Sequence, residues 1–240
     1  MSTQKDVCNT PSEFEAAIPA KTSRRPAFRG QTVVDAPGHY PLDTAGNSVV
    51  VLHGVLGAAE RAAYIAKATA VQRASGWSGY GMKPRLELCY STTGKPFNYS
   101  NVNHTTVAYP DHVAALLPPL AERIDEELRR ATGAGNTFTE LSTGVDICYD
   151  KTFPRGGSVA AHKDNTDPNW GMVLIFSLGQ TRYLRVRRDS DRSFFNIVMP
   201  DNSVVAMHGA SFQKEYTHQV DKLYADEEIW PRLSLNARYL

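Results

Sequence analysis

His162 and Asp164 stand one residue apart in this chain, and His218 follows 218 − 162 = 56 residues later. On a β-strand, positions i and i+2 project from the same face, so His162 and Asp164 can reach one ion together. Two imidazoles and one carboxylate can occupy one face of an iron(II) ion and leave the other open to oxygen and a co-substrate. His-x-Asp by itself is common, and Asn165-Thr166-Asp167-Pro168-Asn169 just after it has turn composition. The pairing with His218 gives it weight. His208 is the one close alternative to His218, whereas His39, His53, His104 and His112 have no partner pattern.

Arg232, Ser234, Asn236 and Arg238 alternate with Leu233, Leu235 and Ala237. A regular strand presents the four polar residues on one face, which is either a solvent face or the lining of a polar pocket. A guanidinium forks onto a carboxylate with two hydrogen bonds, so a pocket of this kind suits a dicarboxylate co-substrate.

The elements that must position these groups follow from patterning. Ser48 to Leu52 reads as a strand, Ala58 to about Gln72 as a helix, and Pro84 to Tyr90 as an alternating strand. A polar, aromatic, loop-like stretch runs from Tyr90 to Tyr109. A second helix then runs from an Asp111 N-cap to Gly133, with a kink or restart expected at Pro118-Pro119. From Val145 onward eight short strands are expected: 145–149, 158–162, 172–178, 183–186, 194–199, 204–208, 215–220 and 233–239. Strands of that length and number predict a mainly β fold with flanking α, a double-stranded β-helix (jelly roll, cupin-like) with the N-terminal helices packed on one sheet. Residues 1–46 lack a sustained period and are expected to form a poorly structured arm, leaving 47–240 as a single domain.

Composition narrows the function classes. The 26 basic and 25 acidic residues nearly cancel, which excludes a polyelectrolyte binder and makes any nucleic-acid contact local. Arg182, Arg185, Arg187, Arg188 and Arg192 form the densest basic cluster, either a solvated charge run or a nucleic-acid contact. No apolar run approaches the roughly 18 residues of a membrane span, so an intracellular protein, cytoplasmic or nuclear, without a membrane is expected. The three cysteines are odd in number and widely spaced, suggesting reduced thiols and neither a disulfide framework nor a zinc knuckle.

These motifs resemble those of the AlkB family of iron(II)- and 2-oxoglutarate-dependent nucleic-acid dealkylases. The likeness covers about residues 84–240. It rests on His162-x-Asp164, on His218 behind Gly-x-x-x-Gln-x-x-Tyr-x-His, and on Arg232-x-Ser234-x-Asn236-x-Arg238. Pro84-Arg85, Tyr90, Gly94 and Phe97-Asn98-Tyr99-Ser100 resemble the family's substrate lid.

The resemblance implies that His162, Asp164 and His218 hold iron(II), leaving the remaining positions to 2-oxoglutarate and oxygen. It implies that Arg232, helped by Tyr149, grips the distal carboxylate of 2-oxoglutarate, with Ser234 and Asn236 on the same lining. Arg238 would support the other end and hold Asp164. Oxidation of an N-alkyl group then releases the carbon as an aldehyde and restores the base.

Two departures bear on this. Ile147 stands two residues before Tyr149, where the family often has Asn, and Asp167 is one place late for an acidic base-reading residue. Arg85, Tyr90, Tyr99, Asp167 and Trp170 are the candidate substrate contacts. The expected partner of a monomeric enzyme is alkylated DNA or RNA, short or single-stranded by preference. The alternative keeps the iron and 2-oxoglutarate chemistry for a small molecule or a protein side chain.

Overall fold

The computed structural model describes residues 32–75, 86–99, 102–134, 140–149, 156–164, 171–223 and 228–239. Two sheets face each other, antiparallel throughout except for the parallel pairing of the first strand at one edge of the smaller. The larger runs in the order β2 (Gly38–Pro41), β3 (Ser48–His53), β12 (Ser203–His208), β9 (Met172–Gly179), β14 (Arg232–Tyr239), β7 (Leu141–Tyr149) and β4 (Leu86–Ser91). The smaller has β1 (Thr32–Val34), β11 (Phe194–Met199), β10 (Arg182–Arg188), β13 (Tyr216–Val220) and β8 (Val159–His162). This is the jelly-roll sandwich the strand pattern predicts, and all eight C-terminal strands form.

Strand alternation divides the apolar residues between two cores. Val50, Leu52, Leu174, Phe176, Val204, Leu233, Leu235 and Ala237 meet the helices α1 (Ala58–Ser75) and α2 (Asp111–Thr132) through Tyr64, Ile65, Leu117 and Ile124. Their neighbours in sequence, Val49, Val51, Val173, Ile175 and Val205, point the other way and close the gap between the sheets with Leu184, Val186 and Ile197. The helices therefore cover one sheet only. That leaves the inter-sheet space, where the even-numbered residues of β14 point, as the place for a polar lining.

Helix α2 runs through Pro118 and Pro119 as one continuous helix, with no restart there. Its apolar stripe, Val113, Leu116, Leu117, Leu120, Ile124 and Leu128, is buried, and this packing holds the helix where two prolines weaken it. Pro110 occupies the N-cap position and Asp111 lies in the first turn, where a carboxylate suits the helix dipole.

Within the expected arm, β1 pairs with β11 and β2 with β3, so the sheets begin before residue 46. These edge strands are three and four residues long, too short to show a period. The stretch expected to be loop-like contains a small hairpin, β5 (Phe97–Tyr99) with β6 (Val102–His104). Cys89 and Cys148 are both buried. Among the described residues, no helix is long and apolar enough to cross a membrane.

Candidate metal centre

β8 and β13 pair so that His162 lies directly opposite His218, with ring centroids 4.2 Å apart. Asp164, just beyond the end of β8, turns back toward them. Its Oδ2 is 3.4 Å from His218 Nε2 and its Oδ1 is 3.9 Å from His162 Nε2. One ligand atom from each of the three residues lies within 4.8 Å of the other two, the clustering a facial His-Asp-His site requires. His162 Nδ1 is 2.9 Å from the Ala160 carbonyl, an arrangement in which the proton sits on Nδ1 and the Nε2 lone pair faces the cluster.

Electrostatics put His162 and Asp164 in their metal-binding forms. Burial, together with the neighbouring His218, pushes the His162 imidazole down to about 4 against the pull of Asp164, so it is neutral near pH 7. Burial opposes ionisation of Asp164. The charge of Arg238 and the two imidazoles outweigh it and hold the carboxyl well below the usual carboxylate range. Arg238 Nη2 donates to Asp164 Oδ1 at 2.5 Å. The donor set fits a divalent iron.

His208 is excluded by its face. It shares the alternation of Val204 and Ala206, which meet the helices, and it ends a strand of the larger sheet.

The polar row of β14 faces inward. Its odd members, Leu233, Leu235, Ala237 and Tyr239, take the helix side, so Arg232, Ser234, Asn236 and Arg238 enter the inter-sheet space. Ser234, Asn236 and Arg238 line a cavity with the three metal-binding residues and Tyr149, walled by Val145, Ile147, Ile175 and Leu184.

Arg232 is fully buried opposite Tyr149 on β7, with the guanidinium 4.9 Å from the ring centre. Its Nη2 donates to Ser177 Oγ at 2.8 Å and Ser234 Oγ at 3.3 Å, while Nε and Nη1 have no partner among the described residues. A buried cation with two idle donors is set up for an absent anion. Arg232 is not one of the residues that line the cavity; the Tyr149 ring, which does line it, packs against its guanidinium.

Residues 48–238 match the family model of the 2OG-Fe(II) oxygenase superfamily. The chain belongs to this 2-oxoglutarate- and iron(II)-dependent oxygenase superfamily. The oxygenase thus uses iron(II), 2-oxoglutarate and oxygen, in keeping with the donor set and the AlkB-like motifs. Its fold is similar to that in "The structure of OsALKBH1", with a TM-score of 0.58 and 16% identity over 79% of this chain and 97% of that one. It is also similar to an oxidoreductase of the 2OG-Fe(II) oxygenase family from Burkholderia pseudomallei, at TM-score 0.50 and 15% identity over 80% and 83% of the two chains. No curated protein matches the oxygenase in sequence.

The candidate substrate contacts fare differently. Tyr90 is fully buried and stacks on Tyr109 with ring centroids 5.2 Å apart. It shares the alternation of Leu88, which carries it into the helix-side core and away from the cavity. Arg85, Asp167 and Trp170 lie outside the described residues, and so does the side chain of Tyr99.

The basic cluster is largely structural. Arg182 is buried and donates to the carbonyls of Gly156 at 3.0 Å, Gly157 at 2.6 Å and Asp221. Arg185 pairs with Asp221 at 2.9 Å, and Arg188 lies 3.8 Å from Glu215. Two positioning groups carried no role in the sequence reading. Gln213, inside the Gly-to-His motif, accepts from the Asp164 backbone N–H at 2.9 Å. Ser177, a lone hydroxyl in the apolar run of β9, meets Arg232. A polar residue on the inward face of a buried strand is the signal that marks Ser177.

Proposed function

We propose that this oxygenase oxidatively demethylates N-alkylated bases in DNA or RNA. In this reading His162, Asp164 and His218 hold iron(II), Arg232 and Tyr149 receive the distal carboxylate of 2-oxoglutarate, and Ser234 and Asn236 line its bed. Arg238 holds Asp164 in place and supports the other end of the co-substrate. When bound, iron with 2-oxoglutarate and oxygen supplies the oxidising power. The chain's own residues orient the reactants and keep water out, and they hold His162 neutral.

The observation that carries the reading is the inward row Arg232, Ser234, Asn236 and Arg238 facing a His-x-Asp…His triad. Its spacing resembles that of the AlkB dealkylases. The fold-level likeness to OsALKBH1 over nearly all of that chain supports it. Among the three metal-binding side chains, His162 is 20% exposed against 3% for Asp164 and 5% for His218, so the triad is approached from the His162 side. A base extruded from a strand would enter there. We further infer a monomer acting inside the cell, in cytoplasm or nucleus, on short or single-stranded substrates.

The test is formaldehyde and succinate release from iron-loaded protein given 2-oxoglutarate, oxygen and oligonucleotides carrying 1-methyladenine or 3-methylcytosine. Formaldehyde in proportion to succinate is the expected result. Succinate without formaldehyde would leave the oxygenase and remove the nucleic-acid substrate.

A second reading, a small-molecule or protein substrate, is favoured by the ion pairs that neutralise Arg185 and Arg188. Charge reversal at Arg187, Arg188 and Arg192 separates the two. Turnover of oligonucleotides falls under the first reading, with succinate formation in the absence of substrate preserved, and is indifferent under the second.

A further inference from the structure

We propose that Gln213 is the positioning residue that sets the orientation of the Asp164 carboxylate, and that one helical turn thereby registers two metal ligands at once. The ladder between β8 and β13 ends at the His162–His218 pair, so the Asp164 peptide N–H, two residues on, has no strand partner. It donates instead to the side-chain oxygen of Gln213 at 2.9 Å. Asp164 is 4% exposed, which leaves little water to take over that bond. The direction of a side chain follows from its backbone dihedrals, and the hydrogen bond restrains those of Asp164.

Gln213 can serve as an anchor because its own turn is pinned. It lies in α3 (Phe212–Glu215), a single turn that leads directly into β13 and so into His218, 218 − 213 = 5 residues later. Gly209 opens the turn at φ +131, with Asn47 so close that a Cβ there would come within 2.4 Å of the Asn47 side-chain oxygen. Asn47 Nδ2 donates to Ser211 Oγ at 2.8 Å, and the Tyr216 hydroxyl donates to Asp43 Oδ2 at 2.8 Å. A parallel strap joins the ligand turn to the same place, since Lys163 Nζ donates to the Lys214 carbonyl and pairs with Asp189 at 2.6 Å. Each named residue of Gly209-x-Ser211-x-Gln213-x-x-Tyr216-x-His218 thus has a mechanical task, and that of Gln213 is to link the carboxylate ligand to the second histidine ligand.

The inference rests on the metal triad and is independent of which substrate is oxidised. Gln213→Leu keeps the size and removes the acceptor, while Gln213→Glu restores an acceptor at the same reach. Metal-free proteins are titrated with Co(II), reading the visible d–d bands, and with Mn(II), reading affinity by electron paramagnetic resonance. Gln213→Leu is expected to bind about tenfold to a hundredfold more weakly with an altered Co(II) spectrum. Gln213→Glu is expected to return both to near the wild-type values.

Unchanged affinity and spectrum in Gln213→Leu would overturn the proposal. So would equal loss in both variants with an equal fall in melting temperature, which would mark Gln213 as packing only. If Gln213→Leu does not fold, hydrogen exchange of the Asp164 amide in the wild-type chain decides: slow exchange is expected, and exchange at the rate of an open loop amide overturns the assignment.

Discussion

Arg238 on β14, an interior strand of the larger sheet, reaches across the sandwich to place Nη2 2.5 Å from Oδ1 of Asp164, just past the end of β8 in the smaller one and 74 residues away in sequence. Both side chains are 3% exposed. In metal-free protein this guanidinium is the principal counter-charge of a buried carboxylate. Arg238→Met is expected to cost about 3–5 kcal/mol, because it leaves a buried charge uncompensated. Chemical denaturation with and without Mn(II) checks this: the ion should recover part of the loss, and a variant as stable as wild type without metal would contradict the assignment.

His162→Ala, Asp164→Ala and His218→Ala each remove one donor from a three-donor set. Succinate formation is expected to disappear in all three, with a cooperative unfolding transition retained. Wild-type rates in any one would remove that residue from the metal site.

Arg232 presents the opposite case. Its Nε and Nη1 are idle among the described residues, and burial lowers the pKa of the guanidinium. Arg232→Met should therefore change stability by less than about 1.5 kcal/mol, since a buried, partly unsatisfied cation contributes little to folding. The same change should weaken 2-oxoglutarate binding on the order of 100-fold, the consequence of removing one partner of a buried ion pair. Calorimetric titration of Mn(II)-loaded protein with 2-oxoglutarate measures the second effect. A large stability loss with intact co-substrate affinity would show that the arginine is structural.

The Tyr216 hydroxyl and Asp43 yield a pH-dependent prediction. Burial works against ionisation of Asp43. Hydrogen bonds from Asn47, Tyr216 and the backbone of Asn47 and Ala45 outweigh it and lower the carboxyl below its ordinary 3.8. A carboxyl with a depressed native pKa stabilises the fold fully above its unfolded pKa, and that contribution is lost as the pH falls through the native value. Tyr216→Phe is thus expected to cost about 1.5–3 kcal/mol near neutrality. The gap to wild type should narrow as the pH drops below 3.8. Denaturation curves at pH 7 and pH 3 test it, and a gap of constant size would separate Tyr216 from the Asp43 charge.

Much of the site was legible because it is written in local rules. The i, i+2 spacing of His162 and Asp164 and the alternation from Arg232 to Arg238 are properties of a pleated strand wherever it lies. The eight C-terminal strands carry β-branched and aromatic residues between turn signals, so their positions were also readable. The edge strands at 32–34 and 38–41 were not, since three or four residues are too few to show a period.

Other properties of this protein depend on what packs against what. The chain alone left the polar row of β14 open between solvent and pocket, and only the docking of α1 and α2 on the opposite face of the larger sheet turns it inward. The same layer claims Tyr90 for the core. Arg182 resembles its neighbours Arg185 and Arg187 in sequence, yet carbonyls of Gly156, Gly157 and Asp221 gather around it because distant turns converge there. Gln213 carries no mark of its role in its own segment, because the N–H it serves belongs to a strand end 49 residues earlier. Residue types and alternation determined which groups could bind a metal and a dicarboxylate. The tertiary structure decided which of them meet, because burial and hydrogen-bond partnership are set by segments far apart in the chain.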